Sequence, residues 1–537
     1  MANPHPADTT TTRRTLLAAP LVHIHPPLTE QVQRALADGA DLVELRADCI
    51  DDSGAIEDFL RAPSRPPCIL TLRSAAEGGR FDGTDADRIA LMERLGLLIP
   101  GYIDVELDTW NRSANLRQKL GLVCDMGGPQ PLHALDRPRN RLILSRHDWT
   151  GARSDDPGRT IDELLNIQGA IAKAAFTARD ATDALRVLAA LHARRGTGRE
   201  MIAIAMGEAG IASRVLAGKF GGFLSFAALD QSAASAPGQL ALRRMGDVYR
   251  WNSIRAASRV FGVVGWPVSH SRSPQVHNAG FDAAATDAVY VPLPVEPTQA
   301  AFDRFADYVD VHPELDISGL SITIPHKPHA LRWLLDRGYE ISTFAQRAGA
   351  VNTLSRAADG RWRGDNTDGV GAVAALRASL GAAASLAGAR AAVLGAGGAA
   401  RGVAAALLAE GAHVTIYNRT HTAADALSAD LGCASQSWEE RDRISASIIV
   451  NCTSVGMGAA AGESPLPAGA LRAGMTVLDT VYSPRRTALL RDAGAAGAAA
   501  IEGTEMFLEQ AAAQFELWIG QPAPRQAMRQ AFEQSWT

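Results

Sequence analysis

What this chain lacks narrows its function first. It has only five cysteines in 537 residues, and none of Cys49, Cys68, Cys124, Cys433 and Cys452 stands in a CxxC or CxxH spacing. That usage argues for a reducing compartment, the cytoplasm, and against a structural metal site; no metal is expected. A basic excess is missing too, since 53 Lys plus Arg against 58 Asp plus Glu leave a formal charge of −5. Binding nucleic acid without regard to sequence needs the opposite balance, so no nucleic-acid partner is expected. A few placed arginines still suffice for an anionic small molecule. No apolar run reaches the roughly 18 residues of a membrane span, so no membrane partner is expected either. Tandem repeats are absent, and low complexity is confined to the threonines near the N-terminus.

What is present begins with length. A chain of this size exceeds one hydrophobic core, and about two to four domains are expected. Residues 1–14 read as a disordered tail. Arg13 and Arg14 before the apolar stretch Leu16 to Val22 imitate a twin-arginine leader. That stretch holds Pro20 and ends in His23, Ile24, His25, Pro26, Pro27, so a first strand is the better reading. From about 15 to 250, eight short apolar runs alternate with helical stretches: LLAAPLV, DLVELRAD, CILTLRS, YIDVEL, RLILSRH, AIAKAAF, MIAIAMG and FLSFAAL. This βαβ rhythm predicts a (β/α)8 barrel. The Pro- and Gly-rich interval from Leu122 to Arg141 reads as an inserted loop.

Barrel active sites lie at the carboxyl ends of the strands. Reading each run to its end gives Glu44, Arg46 and Asp48; Arg73 and Glu77; Asp104 and Glu106; His147; Lys173; and Arg214. Burial disfavours an ammonium, and a neutral amine attacks a ketone to form an imine. A histidine one strand away can move protons at that imine. Arg73 and Arg214 suit a substrate carboxylate, which a planar guanidinium meets at two points. Taken singly, each of these residues is as well explained as a rim ion pair or a structural histidine.

Their sequence context goes further. ELRAD, LRSAAEGG, YIDVEL, SRHDW, a lysine followed by small residues, MGEAGIASR, KFGGFLSFA and SAPGQ stand in the order found in type I 3-dehydroquinate dehydratases, which residues 15–250 resemble. The resemblance implies Lys173 as the Schiff-base lysine and His147 as the proton-transferring histidine, supported by Glu77. It places substrate contacts on Glu44, Arg46, Arg73, Arg214, Phe226, Ser235 and Gln239, the last two on a closing loop. Ala174 departs from the isoleucine usual after the lysine.

A seam falls near Tyr249 to Arg259. Beyond it come VFGVVG, DAVYVPLPV, LDISGLSITIP, ARAAVLGAG, HVTIYNRT, SIIVNCTS and MTVLDTVY as strands, then an apolar helical stretch, EMFLEQAAAQFELWIG. AAVLGAGGAAR is a strand running through a glycine turn into a helix. Gly395 and Gly397 allow a pyrophosphate to approach, while Gly398, Ala399 and Ala400 let the helix pack closely. An NAD-type fold ends its next strand in Asp or Glu; here Asn418, Arg419 and Thr420 follow, and a guanidinium suits the 2′-phosphate of NADP. Lys327 follows a strand and Asp368 sits in a turn. If the two meet, the carboxylate tunes a lysine that protonates an oxygen as hydride arrives.

The SxSP, TxPxK, NTD, GAGGAxR, NRT and NCTSVGM motifs and DTVYSP make residues 258–537 similar to shikimate dehydrogenases. By that resemblance Ser271, Ser273, Thr323, Asn352, Asp368, Tyr482 and Gln510 hold substrate, and Lys327 with Asp368 is the catalytic pair. Gly395, Gly397, Gly398, Ala399, Asn418, Arg419, Thr420, Thr453 and Met506 cradle NADP. Many NADP-using relatives add a basic residue just after NRT; His421, Thr422, Ala423 and Ala424 stand here instead, which implies a weaker clamp and some use of NAD. The expected architecture is α/β: an N-terminal (β/α)8 TIM barrel (15–250), then a two-lobed shikimate-dehydrogenase-like unit. Its substrate-binding lobe spans 258–366 and 505–537, and its Rossmann NADP-binding lobe 367–504. The resemblances join, because dehydration of 3-dehydroquinate yields 3-dehydroshikimate, which the second family reduces to shikimate. Small-molecule partners are thus expected, with monomer and homo-oligomer both open. Two alternatives remain at this point: a catabolic quinate/shikimate enzyme, and a ligand-sensing regulator built from the same domains.

Overall fold

The computed structural model describes residues 14–63, 65–125, 140–230, 234–381 and 384–536. The chain divides into two compact units, Met1–Ser258 and Arg259–Thr537. Residues 1–13 of the expected tail lie outside the described residues.

In the first unit the eight apolar runs become eight strands: β1 (Leu16–Leu21), β2 (Leu42–Arg46), β3 (Cys68–Thr71), β4 (Gly101–Glu106), β5 (Asn140–Asp148), β6 (Ala170–Thr177), β7 (Met201–Met206) and β8 (Leu224–Phe226). Neighbours follow the order β7-β6-β5-β4-β3-β2-β1-β8, parallel throughout. Between β7 and β8 the Phe223 amide donates to the Met201 carbonyl at 2.7 Å, so the barrel is nearly closed. β1 pairs with both β2 and β8, which is the place of a barrel strand rather than of a leader.

The interval from Leu122 to Arg141 is not one loop. Leu122 and Val123 end the helix Ala114–Val123, Cys124–Asp125 is a short strand beside β5, and Asn140 and Arg141 already belong to β5. Buried Leu116, Leu120 and Val123 carry the helix into that stretch despite its Pro/Gly surroundings. Residues 126–139 lie outside the described residues.

Alternation along the strands explains where the polar groups go. Residues i and i+2 share a face. Ala18, Leu42, Ile69, Ile143, Ile171, Ile202 and Leu224 fill the barrel interior. Two residues on, the same face carries Glu44, Thr71, Ser145 and Lys173; Asp104 holds that position on β4. Two further along stand Arg46, Arg73, Glu106 and His147. The barrel is therefore greasy at its base and charged at the carboxyl ends, where its loops converge.

The second unit contains two six-stranded sheets. The first holds β9 (Arg259–Gly265), β10 (Ala288–Pro294), β11 (Ile317–Ile322), β12 (Thr353–Arg356), β13 (Trp362–Asp365) and the short strand Glu340–Ile341. Its order is β10-β9-β11-β12-β13 and then Glu340–Ile341, with β12 antiparallel to both neighbours. The second comprises β14 (Arg390–Leu394), β15 (His413–Asn418), β16 (Ala434–Ser437), β17 (Ile448–Asn451), β18 (Thr476–Asp479) and β19 (Ala499–Ile501). It is parallel in the order β16-β15-β14-β17-β18-β19. That is the doubly wound order, whose ligand crevice opens where strand order reverses, beyond β14 and β17.

β12, β13, β16, β19 and Glu340–Ile341 go beyond the strands expected from apolar runs. They are short, and residues such as Ser355, Arg356, Ser435 and Gln436 give them no apolar alternation to read. The helices Gly503–Ile519 and Arg525–Gln534 bring the chain back to the first sheet, where Phe515, Trp518, Met528 and Phe532 pack with Phe261 and Phe281.

Candidate active sites

At the barrel mouth, Glu44, Arg46, Arg73, Glu77, His147, Lys173, Arg214, Phe226, Ser235 and Gln239 line one cavity of about 60 Å³. The ten barrel residues to which the family resemblance gives a role thus converge. Register explains the closest neighbours: Ser145 on β5 pairs with Lys173 on β6, and Glu106 on β4 with Ser145. Lys173 Nζ donates to Asp104 Oδ2 at 2.7 Å, lies 3.6 Å from Glu44 and sits 4.6 Å from the Phe226 ring centroid. The surroundings of the amine are therefore ionic on one side and aromatic on the other, not apolar all round as the strand pattern suggests.

Asp104 is the residue whose importance the sequence conceals. Its Oδ1 accepts from Arg73 at 2.8 Å and from Ser145 at 2.6 Å, while Oδ2 accepts from Lys173. Burial works to raise its pKa, but the charges of Arg73 and Lys173 outweigh that and hold it well below the usual carboxylate range. Behind it, Glu106 accepts from Arg88 at 2.7 Å, which fixes the β3–β4 rim.

His147 Nδ1 stands 2.9 Å from Glu77 Oε2, and the same oxygen accepts from the His147 amide at 3.2 Å. Burial, with the charges of Arg73 and Lys173, holds the imidazole well below its ordinary value, so it is neutral at pH 7. Burial likewise pushes Glu77 up, to about 7. With Nδ1 engaged by Glu77, Nε2 is the nitrogen left to accept a proton. Trp149 stacks beside His147, with ring centroids 6.4 Å apart. Arg214 is fully buried, and among the described residues its Nε has no hydrogen-bond partner. Burial lowers it to about 10. Its Nη2 donates to the Pro237 carbonyl at 3.2 Å; a buried guanidinium satisfied only in part and facing a cavity suits a carboxylate. Above it, Ser235 and Gln239 bond to each other, with the Ser235 amide donating to Gln239 Oε1 at 2.8 Å.

In the second unit, Lys327 donates to Asp368 Oδ2. Asn352 Nδ2 donates to Asp368 Oδ1 at 2.9 Å, and the Asp368 amide donates to Asn366 Oδ1 at 3.0 Å. Lys327 and Asp368 each begin a helix, Lys327–Asp336 and Asp368–Leu380, so both are set by helix starts rather than by loose loops. Ser271 and Ser273 bond to each other at 3.2 Å. Thr323 follows β11, its amide donating to the Val264 carbonyl at 2.8 Å. Gln510 meets the first turn of Asp368–Leu380, where a Cβ added at Gly371 would lie 2.9 Å from it. Tyr482 instead packs into an aromatic cluster with Phe507 and Phe532, and Met506 is buried in the Rossmann core.

The dinucleotide turn fits its expected ligand. Gly395 adopts φ +109°, with a Cβ there only 3.2 Å from the Cys452 backbone, while the space around Gly397 is open. The twelve-residue helix Gly398–Ala409 starts without a side-chain cap, leaving its first N–H groups to an anion. A Cβ at Gly398 would lie 3.0 Å from Lys327 Cδ, so this turn abuts Lys327. Asn418 Nδ2 donates to the Thr420 carbonyl at 2.9 Å, shaping the strand end, and Arg419 is exposed. Thr453 is held by Asn451, whose Oδ1 accepts from its hydroxyl at 2.7 Å.

Comparison with known proteins agrees with this geometry. Residues 23–256 match the family model for type I 3-dehydroquinase. Residues 263–354 match the shikimate dehydrogenase substrate binding domain, 378–455 shikimate / quinate 5-dehydrogenase, and 503–531 the shikimate 5'-dehydrogenase C-terminal domain. The bifunctional 3-dehydroquinate dehydratase/shikimate dehydrogenase of Arabidopsis thaliana, a chloroplastic protein, is 34% identical over 91% of this chain and 79% of its own length. A shikimate dehydrogenase (NADP(+)) of Haloarcula marismortui is 43% identical over 49% of this chain and 95% of its own. A solved shikimate 5-dehydrogenase from Thermus thermophilus, in complex with NADP(H) and shikimate, is 34% identical over 52% of this chain and 99% of that one, with a TM-score of 0.46. The chain belongs to the bifunctional 3-dehydroquinate dehydratase/shikimate dehydrogenase family.

Proposed function

We propose that Lys173 and His147 dehydrate 3-dehydroquinate in the barrel, and that Lys327 and Asp368 serve the NADPH-dependent reduction of the resulting 3-dehydroshikimate to shikimate. The observation that carries this reading is, in each unit, a buried lysine bonded to a buried carboxylate: Lys173 to Asp104 and Lys327 to Asp368. Barrel residues 15–250 are the dehydratase, and the lobes 258–366 with 505–537 and 367–504 are the dehydrogenase.

In the barrel, Lys173 leaves its bond to Asp104, sheds a proton and adds as a free amine to the substrate ketone, the proton passing to the ketone oxygen that departs as water. Loss of water gives an imine, which draws electrons from the neighbouring carbon. His147 Nε2, neutral because of burial, removes a proton from that carbon. The electron pair then expels the β-hydroxyl, which leaves as water with a proton returned by His147, and hydrolysis frees Lys173. Arg214 and Arg73 hold the carboxylate and hydroxyls, and the Ser235–Gln239 loop excludes solvent.

In the second unit, NADPH supplies hydride when bound. Lys327 donates a proton to the carbonyl oxygen being reduced, and Asp368 holds that lysine in place. Ser271, Ser273, Thr323, Asn352 and Gln510 orient the substrate. Arg419 would hold the 2′-phosphate of NADP. The presence of all four reacting groups, Lys173, His147, Lys327 and Asp368, favours an enzyme over a ligand sensor. Five free cysteines support a reducing, cytoplasmic compartment; among the described residues no helix is long and apolar enough to cross a membrane.

The direct test supplies 3-dehydroquinate and NADPH to the intact chain. Nicotinamide oxidation requires both heads, and its absence with active controls rejects the reading. Lys173→Ala should abolish dehydration alone, and Lys327→Ala the reduction alone.

A further inference from the structure

Gln514 lies one helical turn beyond Gln510 on Gly503–Ile519 and is 1% exposed. A buried amide has to satisfy both its ends. Its Nε2 donates to the Thr353 hydroxyl at 3.0 Å and to the Asn352 carbonyl at 3.1 Å. Its Oε1 accepts from the Ser321 hydroxyl at 2.7 Å, and Ser321 accepts in turn from the Tyr290 hydroxyl at 2.6 Å. On the other side, the Thr353 hydroxyl donates to Asn352 Oδ1 at 2.7 Å, which also accepts from the Thr367 amide at 2.8 Å. With its oxygen doubly occupied, the Asn352 amide has one orientation, and its Nδ2 points at Asp368.

Every bond in this series runs the same way. Tyr290 donates to Ser321, Ser321 to Gln514, Gln514 to Thr353, Thr353 to Asn352, and Asn352 to Asp368. Burial pushes the Tyr290 phenol well up, so the first donor keeps its proton at any working pH. Successive bonds aligned in one sense polarise one another and present the last N–H more firmly to its acceptor. The Tyr290 hydroxyl also faces Ser273, at the other edge of the expected substrate site.

We infer that Gln514 is a positioning residue for the dehydrogenase, acting through Thr353 and Asn352 to hold Asp368 against Lys327. This deepens the reading of Lys327 and Asp368 as the catalytic pair and rests on it. Gln514 touches neither Lys327 nor Asp368 itself; its effect travels through the orientation of one amide.

Shikimate oxidation with NADP tests this in the full-length protein. Gln514→Leu keeps the volume and removes all three bonds; Thr353→Val removes the next link with a near-isosteric side chain. Each should lower kcat about tenfold or more, the scale of leaving buried partners unsatisfied. The KM for NADP should stay within about twofold, and dehydratase activity should be unchanged. Because Gln514 works through Asn352, adding Gln514→Leu to Asn352→Ala should cost little more than Asn352→Ala alone. Wild-type kcat in Thr353→Val and in any folded Gln514→Leu protein overturns the inference. So do equal losses in kcat and NADP affinity, or multiplying losses in the double variant. If Gln514→Leu does not fold, Thr353→Val and its combination with Asn352→Ala decide alone. Failure of the wild-type chain to oxidise shikimate would instead reject the catalytic-pair reading itself, and the inference with it.

Discussion

Replacing Asp104 by Asn separates the two oxygens of one carboxylate. Arg73 and Ser145 both bond to Oδ1, whereas Lys173 alone bonds to Oδ2 at 2.7 Å. The amide oxygen of asparagine can keep the first two partners. Its NH2 group must then face the Lys173 amine, donor against donor. The substitution therefore loses one charge-assisted bond and leaves Lys173 and Arg73 as buried cations with less compensation. Glu44 at 3.6 Å and Glu77 and Glu106, each 3.8 Å from Arg73, offset part of that loss. A destabilisation of about 3 kcal/mol results, between the cost of one charged hydrogen bond and that of breaking a buried pair. For a unit of this size it lowers the melting temperature by about 6–12 °C. Because Asp104 is held below the usual carboxylate range, its stabilisation is complete above the unfolded pKa and is lost only as pH falls through the folded value. Calorimetry at neutral pH reads the full effect. The barrel transition should move while shikimate oxidation by the same sample is retained. An unshifted transition would falsify the assignment of Asp104 as the keystone of the barrel mouth.

Two further outcomes follow from the site electrostatics. Glu77 is raised to about 7, so its contribution to stability is present below its unfolded pKa and lost as pH rises through 7. Glu77→Gln should flatten stability between about pH 4.5 and 7 and remove the inflection near 7 from the dehydration pH profile; an unchanged profile contradicts the His147–Glu77 pairing. Arg419→Ala should raise the KM for NADP about tenfold, on the scale of one charged contact, and leave the KM for NAD nearly unchanged; equal effects on both would remove Arg419 from the 2′-phosphate.

Much of this was legible before any coordinates. The eight barrel strands are legible as apolar runs alternating with helical stretches, and Lys173 stands at the end of one of them; that it shares the interior face with Ile171 is seen only in the structure. Asp104 was visible at a strand end, yet nothing in YIDVEL distinguishes a carboxylate that grips three partners from one in a rim ion pair. Only the register of β4 with β5 and of β5 with β6 brings it to Lys173. Gln514 was hidden for a related reason. On a helix whose apolar residues signal burial, one glutamine reads as a solvated position, and its partners Ser321 and Thr353 lie more than 150 residues away. The strands Thr353–Arg356 and Ala434–Ser437 escaped notice because they are short and partly exposed, and so carry no hydrophobic period.

The sharpest check on the whole account is chemical trapping. The intact chain is incubated with 3-dehydroquinate and borohydride, digested and mapped by mass spectrometry. A reduced adduct confined to the peptide bearing Lys173, and lost in Lys173→Ala, is the predicted result. Dehydration that proceeds with no adduct, or with the adduct on another lysine, would contradict it.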